Sequence, residues 1–328
     1  MTQEEFLQHW NAQKEAYRAW GHLVRAEVEG QLSKSNPSLD LGSFIKIPAN
    51  PRLKDDDSLL TKAFHRNKGY ADPFNQIEDK VGVRFVVLLT SEISKIEQVI
   101  ESSALWAFSL DKDYEADKES RPAEFGYQSK HYVLRAAKDV EHEGVLVPQN
   151  TPCEVQIRTL LQHAHSELTH DNIYKRDSTK EVSKDVQRTV AKSMALIEAV
   201  DDYFLHAVRA LEEATKVERD ALLALQQIYE KHIGLPSIPT KTDQIVLEAF
   251  RDYLTEDLGA AIEGLLVSKP WITKNIIERR SRDVIYRQAW ILLIYFVVSK
   301  SPYIANKIWP FTDDEISQIY IDFGKIIR

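Results

Sequence analysis

Residues 153–158 constrain the fold most, because their side chains alternate strictly between polar and apolar. A period of two residues is that of a β-strand, whose successive side chains point to opposite faces of a sheet. The polar face carries a carboxylate, an amide and a guanidinium, from Glu154, Gln156 and Arg158. Such a row is unusual for a buried sheet and predicts a polar cleft over one face. The alternative is a half-exposed polar sheet face without a chemical role.

A second segment, residues 127–134, alternates in the same way and predicts another strand. Tyr127 and His131 fall on one face of it. The Tyr127 ring offers a surface on which a nucleotide base could stack. On the neighbouring strand, Glu154 could bind Mg²⁺ or take a proton from a hydroxyl nucleophile.

A third strand is predicted for residues 81–89, an apolar run rich in β-branched side chains. Arg84 interrupts this run, and a buried arginine needs an anionic partner. Asp79, just before the strand, could bind a hard cation such as Mg²⁺. The alternative is a structural ion pair between Asp79 and Arg84.

A helix is predicted to start at or just before Ser58, where Asp57 and Ser58 are good N-cap residues. Hydroxyl and basic side chains surround this start: Arg52, Lys54, Ser58, Lys62 and Arg66. The last three are spaced by four residues and share a helix face. A helix N-terminus with basic neighbours suits a polyphosphate. A solvated charged face is the alternative.

A helical segment is also predicted for residues 163–175, with His163, Glu167, His170 and Tyr174 on one face. Two histidines and a glutamate could bind zinc. The sequence shows no neighbouring cysteine ligand and no further clusters of histidine and aspartate upstream. A polar cleft wall or a helix-packing surface is therefore the favoured interpretation.

Periodicity divides the chain into a helical N-terminal segment (1–45), a mixed domain with a trailing long helix (46–233) and a helical C-terminal domain (234–328). The Pro- and Gly-containing segment 234–239 is the clearest linker. The predicted fold class is α+β, with a mixed central sheet flanked by helices.

Composition excludes several classes of protein. The net charge of −8 argues against a nonspecific nucleic-acid binder. Cys153 is the one cysteine, so an internal disulfide and a multi-cysteine metal site are excluded. Residues 1–20 are too polar for a signal peptide, and the longest apolar run, residues 289–298, is about half the ~20 residues that span a bilayer. We therefore expect a soluble cytoplasmic protein, with residues 289–298 in a buried helix.

Taken together, these segments resemble the synthetase domain of the RelA/SpoT family, in the same order along the chain and over about residues 45–210. The matching positions are the basic loop and helix at 52–66, Asp79 with Gly82-Val83-Arg84, Lys112-Asp113-Tyr114, Gly126-Tyr127-Gln128-Ser129 with His131, residues 154–159, and His170 with Tyr174-Lys175. Each motif is weak alone, but six in register are highly specific. The resemblance implies a nucleotidyltransferase-like sheet domain.

The resemblance further implies a pyrophosphokinase that moves the β,γ-pyrophosphate of ATP to the 3′-hydroxyl of GDP or GTP. It implies Mg²⁺ on Asp79 and Glu154, with Arg84 as a further catalytic residue. The ATP-binding residues would be Arg52, Lys54, Ser58, Lys62 and Arg66. The acceptor-binding residues would be Tyr127, Lys112, His131, Gln156 and Arg158.

The acceptor side departs from the family pattern. Members usually carry Pro-Lys-Pro-Asn before the Gly-Tyr pair, whereas this chain has Pro122-Ala123-Glu124-Phe125 and extra residues upstream. Leu110 stands where some members have arginine, and Lys130 where an apolar residue is common. Loss of one cation and gain of one anion should weaken the binding of an acceptor diphosphate.

Two other functions therefore stay open. One is a toxin-type member that transfers pyrophosphate to the 3′-end of tRNA, with the helical tail neutralising or sensing. The other is a nucleotide-sensing scaffold without catalysis, against which Asp79 and Glu154 argue. The helical tail could also provide a dimerisation surface, and nothing in its sequence decides between these roles.

Overall fold

The computed structural model describes residues 1–37, 39–66, 69–126, 128–169 and 183–327. The chain forms two compact units, residues 1–207 and residues 208–328. The predicted linker at 234–239 lies inside the second unit, because the helix before it, Lys216–Ile233, packs apolar side chains into that unit's core.

A five-stranded mixed sheet forms the centre of the first unit. Its strands are β1 (Arg52–Leu53), β2 (Val81–Val87), β3 (Trp106–Lys112), β4 (Lys130–Ala136) and β7 (Pro152–Thr159). The order is β1-β2-β7-β4-β3, with β2 and β7 parallel and the other pairs antiparallel. This mixed sheet with flanking helices confirms the predicted α+β class.

The two remaining strands form a separate hairpin, β5 (Val140–His142) and β6 (Val145–Val147). Glu143 and Gly144 connect them with φ of 50° and 79°. Positive φ at both central residues is typical of the turn that matches the twist of two adjacent strands.

Eight helices surround the sheet in the described part of the first unit. They are α1 (Gln3–Ser35), α2 (Leu41–Phe44), α3 (Asp56–Leu60), α4 (Pro73–Gln76), α5 (Thr90–Ser102), α6 (Tyr114–Ser120), α7 (Leu160–Thr169) and α8 (Lys184–Ala214), which runs past residue 207. A π-helical turn, Thr61–His65, extends α3.

Helix α1 packs on the sheet along the apolar stripe that its periodicity predicts. Phe6, Trp10, Tyr17, Trp20 and Val24 are all buried. The Trp20 indole also donates a hydrogen bond of 3.1 Å to the Leu134 carbonyl in β4. The stripe therefore joins α1 to the centre of the sheet by both apolar and polar contacts.

The apolar stripe of α8 is buried less completely than that of α1. Met194 is buried, whereas Phe204 is 40% exposed and Val190, Ile197 and Val200 are partly buried. The period-3.6 pattern shows that the helix has an apolar face. The pattern contains no information on which neighbour covers that face.

The second unit is helical over its described residues. Its helices are α9 (Lys216–Ile233), α10 (Thr242–Ala249), α11 (Leu258–Ser268), α12 (Trp271–Arg279), α13 (Ile291–Lys300), α14 (Pro302–Ile308) and α15 (Asp313–Asp322). The buried helix predicted at 289–298 is confirmed, because α13 lies in the centre of this unit's core. Among the described residues, no helix is both long and apolar enough to cross a membrane.

Candidate active site

The polar row of β7 continues onto both neighbouring strands, because the strand registers place their polar residues side by side. Gln156 lies opposite Arg84 of β2 and opposite His131 of β4. Glu154 lies opposite Gly82. A Cβ atom added at Gly82 would lie 3.9 Å from Glu154 Oε2, so glycine here leaves the carboxylate open on that side.

Asp79 precedes β2 and lies between two lysines. Its Oδ2 forms ion pairs of 2.5 Å with Lys54 Nζ and 2.7 Å with Lys62 Nζ. Burial raises the pKa of Asp79, but the two ammonium groups outweigh this and lower the pKa overall. Asp79 is therefore ionised at neutral pH. The ion pair between Asp79 and Arg84 that we considered from sequence does not form.

Glu154 is held at both carboxylate oxygens. Oε1 lies 3.1 Å from His131 Nδ1, and Oε2 accepts a hydrogen bond of 2.8 Å from Gln156 Nε2. Burial raises the pKa of Glu154 and Asp79 adds to this, but His131 and Gln156 lower the pKa overall. The influence of Asp79 on this pKa shows that the two carboxylates are electrostatic neighbours.

Arg84 is not buried as its position in an apolar strand suggested, since its side chain is 39% exposed. Its anionic partner is Glu167 of α7, with Nη1 2.8 Å from Oε1. Nη1 also lies 3.5 Å from His163 Nδ1, and Nε donates a 3.4 Å hydrogen bond to Gln156 Oε1. Arg84 thus lies on the polar face and contacts α7.

Of the three ligands that the zinc interpretation needs, His163 and Glu167 are described, whereas His170 lies outside the described residues. Burial, and then the nearby Arg84 and Arg158, lower the pKa of His163. No group of three or more His, Cys, Asp or Glu side chains in the described segments could hold a metal ion.

Arg158 and Lys112 extend the polar face towards β3. Arg158 is 1% exposed and donates a hydrogen bond to Gln156 Oε1. Lys112 lies opposite His131 at the end of β3. Burial lowers the pKa of Lys112, Asp117 opposes this, and Arg121 and Arg158 lower it further. Lys112 is therefore within electrostatic reach of both arginines.

Helix α3 begins earlier than predicted. Its N-cap is Asp55, whose carboxylate accepts a 2.8 Å hydrogen bond from the Ser58 backbone N–H. This amide is consequently occupied by the protein's own carboxylate. The π-helical turn after Leu60 changes the spacing, so Lys62 reaches Asp79 whereas Arg66 is exposed. The predicted i, i+4, i+8 face therefore runs across a π-helical turn between Lys62 and Arg66.

Arg52 is exposed on β1, where it lies opposite Gly82. Gly82 lies opposite Glu154 on its other side, so Arg52 shares a row across the sheet with Glu154. Tyr127, His170, Tyr174 and Lys175 lie outside the described residues.

Lys130 does not belong to the cleft. It alternates with His131 along β4 and therefore points to the opposite face of the sheet. There it is 6% exposed and forms ion pairs of 2.9 Å with Glu97 and 2.6 Å with Glu115. Its departure from the family pattern is thus accommodated by a structural ion pair away from the polar face.

A pocket of about 170 Å³ lies beside the start of β4, where no sequence motif predicted one. Its charged lining residues are Lys112, Asp117, Lys118, Arg121, Glu124 and Glu198. The pocket is formed by α6, by the loop that leads to Gly126 and by α8. In the sequence, the extra residues before Gly126 were the feature that could have indicated this pocket. No pattern in the sequence placed Glu198 beside them.

Asp79 and Glu154 supply carboxylate oxygens, the ligand type that a hard cation such as Mg²⁺ prefers. Mg²⁺ is usually held by one or two protein carboxylates together with substrate phosphates and water. Asp79 Oδ1 is buried and, among the described residues, has no hydrogen-bond partner. Burial of an unsatisfied carboxylate oxygen is costly unless a ligand completes it. These two residues are therefore suited to hold Mg²⁺ when nucleotide binds.

Residues 51–179 match the family model described as a region found in RelA/SpoT proteins. The polar face described above lies in this segment, at Asp79, Arg84, Glu154, Gln156 and Arg158. This part of the chain is therefore similar to the RelA/SpoT region.

Solved structures with the same fold include small alarmone synthetase 1 from Bacillus subtilis. It is 17% identical, with a TM-score of 0.50, and the match covers 63% of this chain and 99% of that chain. The same enzyme bound to its product pppGpp matches with 18% identity, a TM-score of 0.50, and coverage of 62% and 99%. Small alarmone synthetase 2 from Bacillus subtilis matches with 19% identity, a TM-score of 0.50, and coverage of 61% and 98%. No curated protein matches the chain.

Proposed function

We propose that the first unit is an ATP-dependent pyrophosphokinase that transfers the β,γ-pyrophosphate of ATP to the 3′-hydroxyl of GDP or GTP. The observation that carries this proposal is one polar face on which the ionised Asp79 and Glu154 lie among lysines and arginines. Transfer of a phosphoryl-type group depends mainly on positioning and on electrostatic stabilisation. ATP is most available in the cytoplasm, which is the proposed compartment.

The donor side of the site is the end of the face near β1. Arg52, Lys54, Ser58, Lys62 and Arg66 are the proposed ATP-binding residues. Lys54 and Lys62 are already ordered by Asp79, so they are positioned to bind phosphate oxygens without a large loss of side-chain entropy. Mg²⁺ held by Asp79 and Glu154 would neutralise charge on the transferred pyrophosphate.

Arg84 is the proposed link between donor and acceptor. Its guanidinium contacts Gln156 of the central strand, and its partner Glu167 is 51% exposed. An exposed ion pair of this kind is weak. A phosphate group can therefore displace Glu167 and take up the Arg84 guanidinium, which binds phosphate in a bidentate manner.

Glu154 is the proposed general base for the acceptor hydroxyl. Its lowered pKa keeps it ionised at neutral pH, and His131 and Gln156 fix its orientation. A positioned base contributes to the rate because it accepts the hydroxyl proton as the oxygen attacks phosphorus. The acceptor would be bound by Tyr127, Lys112, His131, Gln156 and Arg158.

One experiment tests this proposal directly. The purified protein is incubated with ATP labelled in its γ-phosphate and with GDP, GTP or deacylated tRNA, and the labelled products are separated. We expect label on the guanine nucleotide and stoichiometric AMP. Label on tRNA alone would show that the acceptor is an RNA 3′-end and not a guanine nucleotide. Nucleotide binding without any transfer would favour a non-catalytic nucleotide-sensing scaffold and contradict the enzymatic proposal.

Glu154→Gln should lower the transfer rate by about 10²–10⁴-fold, because the amide keeps the shape but cannot accept the proton. The matched control is Glu141→Gln, which removes an exposed carboxylate on the β5–β6 hairpin and should leave the rate unchanged. The measurement is AMP formation at saturating ATP, with the unfolding temperature of each variant recorded. A fully active Glu154→Gln protein would exclude Glu154 as the base.

A further inference from the structure

We propose that a cavity beside the end of β7 binds a small primary ammonium ion, and that the carboxylate of Asp201 is its main partner. The Asp201 cavity, as we call it, is lined by residues of α5, α6, α7 and α8 together with Gln128. The site is independent of the proposed function, because none of its lining residues is a proposed ATP-binding, acceptor-binding or metal-binding residue.

The size of the Asp201 cavity limits the ligand to an ion or a small group. Its volume is about 110 Å³. One water molecule takes up about 30 Å³ in the liquid, so the cavity has room for a few non-hydrogen atoms. A nucleotide is far too large for this space.

Asp201 is almost completely buried, and one of its carboxylate oxygens lacks a partner. The residue is 2% exposed, and Oδ2 accepts a hydrogen bond of 2.8 Å from the neutral Thr159 hydroxyl. Oδ1 is buried and has no hydrogen-bond partner among the described residues. A buried acceptor left in this state costs free energy, which a hydrogen-bond donor in the cavity would recover.

Two of the other carboxylates that line the cavity already have cationic partners. Glu115 forms an ion pair of 2.6 Å with Lys130, and Glu198 forms an ion pair of 2.5 Å with Lys118. Each of these pairs places as much positive as negative charge beside the cavity. They therefore leave no net charge for a ligand to neutralise.

The net negative charge of the cavity comes from Asp201 and Asp202. Both residues line it, and the charge of Asp202 raises the pKa of Asp201, which shows that the two carboxylates repel each other. A cation bound to Asp201 would relieve this repulsion and would also complete Oδ1. The unsatisfied oxygen and the uncompensated charge are separate observations, and both point to a cation.

The chemistry of the lining favours an ammonium group over a metal ion. No group of three or more His, Cys, Asp or Glu side chains among the described residues could hold a metal. A primary ammonium has three N–H donors, which charged or neutral oxygens can accept. Thr90 and Tyr114 also line the cavity, and their hydroxyl oxygens can accept the donors that Asp201 does not.

The experiment measures the unfolding temperature of the full-length protein at pH 8, in an amine-free buffer, with different chloride salts at equal ionic strength. The salts are those of methylammonium, potassium and tetramethylammonium. Equal ionic strength gives equal screening of surface charges, so a difference between salts reports specific binding. We expect methylammonium to raise the unfolding temperature by about 2–4 °C over the other two salts, because it binds the folded protein.

Butylammonium chloride distinguishes two sources of the same chemistry. Stabilisation equal to that by methylammonium supports a site for the end of a longer amine, whose chain leaves through the mouth of the cavity. Stabilisation by methylammonium alone supports a site for a small free ion.

The stabilisation should depend on pH, because ammonium binds the ionised carboxylate. Burial raises the pKa of Asp201 to about 6, whereas a primary amine stays protonated at both pH 5 and pH 8. The shift should therefore be smaller at pH 5. The described charged groups that share the cavity with Asp201 are Glu198 and Asp202 of α8 and Glu115 and Lys118 of α6. The neutral groups around it include Thr90 of α5, Gln162 of α7 and Thr159 of β7.

Asp201→Asn removes the charge and keeps the shape, so it should abolish the shift by methylammonium. The matched control is Asp185→Asn, the same chemical change at an exposed position of α8 outside the cavity lining. It should keep the whole shift.

Four results overturn the proposal. They are equal unfolding temperatures in methylammonium and potassium, equal stabilisation by tetramethylammonium, an undiminished shift at pH 5, and a shift that persists in Asp201→Asn. The comparison of salts uses the wild-type protein, so it holds even where a variant fails to fold.

Discussion

Individual side chains in this protein show how burial and neighbouring charges compete. Asp79 and Glu154 are both desolvated, and desolvation by itself favours the protonated carboxyl. In both cases cationic or hydrogen-bonding partners prevail, so the pKa falls below its ordinary value. Charge is thereby kept where the proposed chemistry requires it.

Asp201 shows the opposite balance. It is 2% exposed, and its Oδ2 accepts a 2.8 Å hydrogen bond from Thr159 Oγ1. Its Oδ1 is buried without a hydrogen-bond partner among the described residues. Burial raises the pKa of Asp201 to about 6 against the lowering effect of Thr159, and Asp202 raises it further.

A pH-dependent change in stability follows for Asp201→Asn. The pKa of Asp201 in the folded protein, about 6, lies above its value of 3.8 in the unfolded chain. Protonated Asp201 therefore stabilises the fold fully below pH 3.8, and this contribution is lost as the pH rises through about 6. The uncharged amide should therefore raise the unfolding temperature at pH 8 by about 2 °C or more. At pH 5 the gain should be smaller. Thermal unfolding at both values of pH measures it, and an equal gain at each would contradict the raised pKa.

At the scale of elements, contact between helix and sheet decides which substitutions are tolerated. Gly21 is buried in α1 and lies beside Pro51 and Val81 of β2. An added Cβ atom would lie 2.7 Å from Pro51 Cβ and 2.9 Å from Val81 Cγ2. Both distances are far shorter than van der Waals contact.

Gly21→Ala should therefore destabilise the protein, by about 1–3 kcal/mol for overpacking, although alanine is the better helix former. The matched control is Gly30→Ala in the same helix, where no heavy atom of the described structure lies within 4 Å of the added Cβ. That variant should be stabilised by about 0.5–1 kcal/mol. Urea unfolding of both proteins measures the difference. Stabilisation of Gly21→Ala would show that α1 does not approach the sheet as described.

For the whole molecule, the two compact units each have their own core. The core of the second unit is centred on α13, whose residues Ile291 to Tyr295 are all nearly or fully buried. Substitution in one such core should act mainly within its own unit, because apolar packing is a short-range interaction.

Leu293→Ala should destabilise the second unit by about 2–5 kcal/mol, through lost apolar burial and the cavity left behind. Hydrogen exchange should accelerate at the amides of α13 and stay slow in β2 and β7. The control is Val267→Ala, since Val267 is 76% exposed in the same unit. Equal acceleration in β2 and α13 would show that the chain unfolds as a single cooperative body.

Much of the fold was predictable because local periodicity reports which side chains face a core. The strand containing Glu154, the buried strand after Asp79, helix α1 and the apolar helix α13 were all predicted in this way. The start of α3 was misplaced because Asp55, Asp57 and Ser58 are all good N-caps. The conformation after Leu60 was not predictable from local pattern, because it includes a π-helical turn and the ion pair of Lys62 with Asp79.

The sequence by itself determined the α+β class and the order of the polar motifs, since residue type and spacing are local properties. Only the tertiary structure decided which charges meet. Asp79 is paired with Lys54 and Lys62 and not with Arg84, and Glu198 lies beside Lys118 although 80 residues separate them. The physical reason is that electrostatic pairing depends on the distance between two charges in space. Once a loop lies between two residues, their separation along the chain no longer predicts that distance.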